Sequence, residues 1–146
     1  MNLRQFGNTA RTTVLQVHHI ASLHMTFNCA ADFDAHVGTP VRLNSSGAIV
    51  KCLATEKPIG IVHIKRNLDH IGKPCVGVLT HFTAEIIGKS NGVIAIGAEV
   101  TVSSSTEGDI TYKAAATNDF VIGVALSAGV DTADVTVGQF GYSYKK

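Results

Sequence analysis

The chain runs through the same strand pattern twice. Gly38-Thr39-Pro40-Val41-Arg42-Leu43 leads to a turn at Gly47, then Ile49, then Ile59-Gly60-Ile61-Val62. Gly97-Ala98-Glu99-Val100-Thr101-Val102 leads to a turn at Gly108, then Ile110, then Ile122-Gly123-Val124-Ala125. The offset is 59 at Gly38/Gly97, 61 at Ile49/Ile110, 63 at Gly60/Gly123 and again 59 at Val76/Val135. Matching strands with loop insertions mark a duplicated β-unit.

The rest of the chain fits that reading. Short runs of β-branched and apolar residues recur between turns. They include Val14–Ile20, His24–Cys29, Val41–Leu43, Cys75–Leu79, Phe82–Ile87, Val93–Ile96, Val121–Leu126 and Asp134–Val137. Glycines punctuate them where tight connections are needed. Gly88–Gly92 reads as a loop, and Ser103–Thr106 as a turn matching Asn44–Ser46. The one helix-forming run, Tyr112–Ala116, is too short to nucleate alone. The expected fold class is mainly β: a compact β-sandwich or barrel-like domain of two pseudo-repeats, about 37–82 and 96–141. Residues 14–146 form this single domain. Residues 1–13, polar and short of large apolar side chains, read as an extended N-terminal arm.

Gly60 and Gly123 hold the same repeat position inside a strand. Two readings stand: a close approach in each half, at a pseudo-twofold seam, or a pair of β-bulges. The apolar runs Ile59–Ile64 and Val121–Leu126 also allow two readings, a subunit interface or core strands buried on both faces.

Composition narrows the function classes. The net formal charge is +1, which argues against nucleic acid as a partner. No apolar stretch approaches the ~20 residues of a spanning helix, so no membrane partner is expected. Three cysteines, Cys29, Cys52 and Cys75, form no CxxC pair. They read as reduced, buried thiols of a protein made in a host cytoplasm.

Chemistry is sparse. The seven histidines lack ligand spacing: His18 and His19 are adjacent, and His24, His36, His63, His70 and His81 are scattered. Asp32, Asp34 and His36 look like an acid–base set, but no nucleophile, oxyanion hole or phosphate cradle stands near them in sequence. They read as a turn before the first repeat. No GxSxG, GxxxxGK[ST] or GxGxxG occurs. The expectation is a protein that is not an enzyme, with no catalytic residues, no cofactor and no metal.

The pattern G-x-x-V-x-[LV], a Gly turn, then I-G-[IV]-[VA] resembles the head decoration, or capsid cement, proteins of tailed phages. It rests on Gly38, Val41, Leu43, Gly47, Ile59, Gly60 and Val62, and on Gly97, Val100, Val102, Gly108, Ile122, Gly123 and Ala125. The resemblance implies a homotrimer on the outer surface of an icosahedral virion head, stabilising contacts between major capsid subunits. It makes the arm a capsid contact, with Asn2, Arg4, Gln5, Phe6 and Arg11 as candidates. It makes Gly38, Gly47, Gly60, Gly97, Gly108 and Gly123 the fold-defining glycines. The rival reading is a glycan- or host-surface-binding module of a fibre or spike. There Tyr142 and Tyr144 would supply aromatic faces.

Overall fold

Strands form where the branched and aromatic residues concentrate. The computed structural model describes residues 14–17, 24–80, 83–106 and 109–146. Among these there are eleven strands and no helix. The first six are β1 (Val14–Val17), β2 (His24–Asn28), β3 (Pro40–Leu43), β4 (Ile49–Lys51), β5 (Gly60–Leu68) and β6 (Pro74–Leu79). The others are β7 (Thr83–Ser90), β8 (Glu99–Thr106), β9 (Asp109–Ala114), β10 (Phe120–Ala125) and β11 (Asp134–Lys145).

They make two sheets, ordered β2-β6-β5-β3-β4 and β1-β7-β11-β10-β8-β9. With β1 set aside, the two orders are the same. Each runs through the first, fifth, fourth, second and third strand of its unit. Each sheet curls until its end strands meet in parallel. In the second unit Lys89 pairs with Thr111 and Ser90 with Tyr112. In the first, one parallel bridge joins Cys29 to Ile49. The protein is two small five-stranded barrels in tandem. β1 lies antiparallel on β7, with Val14 opposite Ile86. It therefore belongs to the second barrel although it precedes the first in sequence.

Register carries the repeat residue by residue. Val41 opposite Gly60 matches Val100 opposite Gly123. Val62 opposite Val78 matches Ala125 opposite Val137. The sequence alignment fails at one place. Leu43 pairs with Ile49, and its counterpart Val102 pairs with Tyr112. Ile49 therefore corresponds to Tyr112, not to Ile110. The offset steps from 59 to 63 within this single hairpin. The extra residues lengthen the ladder, so Ser103–Thr106 continue β8 instead of turning. Hydrogen bonds extend the correspondence to β2 and β7. The Cys29 N–H donates to the Pro74 carbonyl, and the Ser90 N–H to the Ala133 carbonyl. Gly88 to Ser90 accordingly lie inside β7, not in a loop.

Alternation turns one face of each sheet inward. The first barrel encloses Cys29, Ala35, Val41, Ile49, Val62, Val76 and Val78. The second encloses Val100, Val102, Ile110, Tyr112, Ala125, Val135 and Val137, with others. Each large side chain so buried contributes roughly 1.5–3 kcal/mol. Counterparts trade volume. Phe27 packs against the first core, and its counterpart is Gly88. A Cβ on Gly88 would strike the ring of Tyr112, which stands where the first barrel has the smaller Ile49. Facing positions keep their sum of volumes, which is what a close-packed interior requires.

The barrels meet through Ile61 and Leu79 of the first, which join the second barrel's cluster. Their counterparts Val124 and Gly138 do not join the first barrel's cluster in return. The two units thus contribute unequally to the cluster they share. Gly60 and Gly123 serve a different end. A Cβ on Gly60 would collide with the Leu79 carbonyl oxygen, and one on Gly123 with that of Gly138. Leu79 and Gly138 are counterparts, so each unit repeats the same close backbone approach within itself. A register irregularity also falls between Val121 and Gly123.

Candidate contact surfaces

The sequence-predicted contact residues Asn2, Arg4, Gln5, Phe6 and Arg11 lie outside the described residues, as do His18, His19, His81 and Gly108. Of the repeat glycines, Gly38 and Gly97 take φ of +94° and +80° and Gly47 takes +78°. These are left-handed conformations that favour glycine. Asp32 and Asp34 flank Phe33, whose N–H donates to the Ala30 carbonyl and whose ring packs on the first core. That is a turn, as the sequence suggested. Among the described residues no group of three or more His, Cys, Asp and Glu could hold a metal. No described helix is long and apolar enough to cross a membrane.

The strands considered for an interface are mostly core. Ile61, Val62, Val121, Ile122 and Ala125 are buried, while Ile64 and Leu126 are exposed.

A paired polar device was missed in sequence because its residue types differ. Glu56 accepts the Leu53 N–H at 2.9 Å and forms an ion pair with the Arg42 guanidinium at 2.7 Å. Its counterpart Asp119 accepts the Ala116 N–H and the Lys113 ammonium, at 2.9 and 3.0 Å. Each carboxylate closes the turn that returns the chain after the hairpin. The Arg42 hydrogen bond holds Glu56 below the usual carboxylate range. Burial pushes Asp119 up, but the Ala116 N–H and Lys113 outweigh it and its pKa ends lowered. The two turns touch: the Phe120 N–H donates to the Ala54 carbonyl at 2.7 Å. Beside Glu56, Cys52 is buried and its thiol is pushed up to about 12 by desolvation, then by the Glu56 carboxylate. Such a thiol is inert at neutral pH.

Large apolar side chains do reach the surface, and seven of the twelve among the described residues lie in the β5–β6 connection of the first unit or the β7–β8 and β10–β11 connections of the second. In the first barrel β5 and β6 run on as a hairpin. From residue 63 to residue 73 every position except Asp69 is exposed. Ile64, Leu68 and Ile71 stand out at 48, 57 and 62% exposure. Lys65, Arg66 and Lys73 flank them. Asp69 is committed to the tip, accepting the N–H groups of Ile71 and Lys73 at 2.9 and 2.8 Å. The tip is thus preorganised as an Asx turn.

The equivalent connection of the second barrel follows β10 and is four residues shorter, because the offset returns from 63 to 59. It lies against residues 91–98. Ile94 and Gly129 form an antiparallel bridge, with N–H to carbonyl bonds of 2.8 and 2.9 Å in both directions. Val93 and Val130 therefore stand opposite each other, 79 and 62% exposed, with Ile96 and Leu126 nearby in the same segments. The only charged residue of segments 91–98 and 126–133 is Asp131, which accepts the Gly92 N–H at 3.0 Å. Thr132 is held at a φ of +65°, an outlier for a β-branched residue. Its N–H donates to the Ser90 carbonyl at 2.8 Å.

A depression between the barrels is lined by Pro40, Pro58, Ile59, Ile122, Phe140 and Tyr142 and encloses about 20 Å³. That is room for about one water. Compared with protein-family models and with curated proteins, the sequence matches none.

Proposed function

We propose that this chain is a structural virion protein, a capsid decoration protein. It binds the outer surface of an icosahedral head as a homotrimer and stabilises contacts between major capsid subunits. The observation that carries this reading is the two groups of exposed apolar residues, Ile64/Leu68/Ile71 and Val93/Ile96/Val130, on a tandem of barrels. Contiguous exposed apolar surface marks an interaction surface. Two such surfaces on one chain let each copy touch two neighbours, and repeated modest contacts add up through effective concentration. The repeat resemblance supplies the head as the setting, and residues 1–13, with Arg4 and Arg11, a further contact.

The test mixes purified protein with empty heads that lack it. Binding in multiples of three, with raised resistance of the heads to heat, is the expected result. No binding at micromolar concentration ends this reading. Deleting residues 1–13 is expected to leave the fold intact and weaken head binding at least tenfold. Unchanged affinity removes the arm from the contact.

One observation favours a second reading. Phe140 and Tyr142 stack with ring centroids 5.2 Å apart, and Tyr142 is 67% exposed. An exposed aromatic face suits sugar stacking. With so little enclosed volume beside it, a glycan would lie on the ring and not in a cleft. Glycan-array binding lost in Tyr142→Ala would support this module over the clamp.

A further inference from the structure

We propose that the β5–β6 hairpin of one copy docks on the residue 91–98 and 126–133 face of a second copy, in a head-to-tail contact. This deepens the decoration reading by naming where copies join. The hairpin and segment 126–133 are the same connection in the two barrels, diverged in opposite directions, and segment 91–98 packs beside the second. The first is long, projecting and cationic: Lys65, Arg66 and Lys73 outnumber Asp69, which leaves a surplus of positive charge. The second is shorter, with Asp131, which also accepts the Gly92 N–H, as its single charge and no cation in either segment. Both carry bulky apolar side chains without cover. Ile71 and Leu68 therefore find apolar partners in Val93, Ile96 and Val130, while Lys73 and Arg66 find Asp131.

Geometry adds to this. A protruding hairpin held by its own Asx turn loses little entropy on docking. The receiving face is fixed by the Ile94–Gly129 bridge and by the Ser90 and Asp131 hydrogen bonds. Because the donor surface differs from the acceptor surface, the contact is heterologous. Such contacts close into rings when the rotation permits. A closed ring of three copies would set six barrels around one axis.

The test uses the full chain in solution, without heads. Mass is measured by light scattering over a concentration series for the wild type, Ile71→Asp and Val130→Asp. Both positions are exposed, so circular dichroism and melting temperature are expected to stay unchanged. The wild type should assemble, and each variant should raise the dissociation constant at least tenfold. A photoreactive benzophenone residue in place of Ile71 should crosslink to peptides within 91–98 or 126–133 of another copy. A wild type that stays monomeric up to millimolar concentration overturns the proposal, as do crosslinks that map elsewhere. The two readings fail separately: a monomer that still binds heads sinks this contact only, and a ring that ignores heads sinks the decoration role only.

Discussion

Glycine shows how one residue type serves two needs here. Gly47 has a φ of +78° and open space around it. Gly47→Ala should cost about 1 kcal/mol, the penalty of a left-handed alanine. Gly60 and Gly123 have no such backbone, but a Cβ on either would strike a carbonyl of the neighbouring strand. Gly60→Ala and Gly123→Ala should each cost about 3 kcal/mol, since backbone must move. Chemical denaturation of the three variants checks the order, and an equal cost for all three would refute the close approach. Asp119 is a second case. Its lowered pKa means the folded state favours the carboxylate. The stability it contributes is present above the unfolded-chain value, near pH 4, and is lost as pH falls through the lower folded value. Asp119→Asn should cost about 2 kcal/mol at neutral pH, the loss of two charge-assisted partners. The difference from wild type should shrink below pH 4, as melting temperatures over a pH series would show.

At the scale of elements, the two hairpins that differ between units are the informative ones. The β8–β9 hairpin gained length as ordinary ladder, and the β5–β6 hairpin gained length as projecting surface. Shortening residues 63–73 by four, to the length of the second unit's connection, should remove surface without touching the core. The melting temperature should change by less than about 3 °C, because residues away from core, caps and networks contribute little. Self-association should be lost in the same variant. A large drop in stability would instead make the hairpin part of the fold.

For the whole molecule, the decisive contact is the one between barrels. Ile61 and Leu79 leave their own unit's cluster and complete the second barrel's. The buried Gln139 side chain donates to the Tyr112 hydroxyl and reaches the Gly38 carbonyl of the first unit at 3.4 Å. Ile61→Ala should destabilise both barrels together by about 3 kcal/mol, with one urea transition instead of two. Separate transitions would mean the barrels fold independently.

Much of this was legible in the primary structure, and the reason is periodicity. Val41/Val100, Val62/Ala125 and Val78/Val137 repeat because burial inside each barrel selects apolar residues at fixed places. Gly60 and Gly123 repeat because a Cβ would strike the neighbouring backbone, and Gly38 and Gly97 because both take a left-handed φ. Class and repeat are consequences of local pattern, and pattern is written in the chain, although the apolar run Val93–Ile96 forms only an isolated bridge at Ile94 and no strand. The pairing of Ile49 with Tyr112 was not legible, since volume traded between Phe27 and Gly88 hides the match. The Glu56/Asp119 turns were hidden by a change of residue type that preserves chemistry. Nor could linear order tell which apolar residues stay bare. Leu68 and Val93 look no different from Val62 and Ile94 until long-range pairing covers the second pair and leaves the first in water. Ring closure by parallel contact, the unequal seam between barrels and the two uncovered connections depend on residues far apart in sequence, so folding in three dimensions alone decided them.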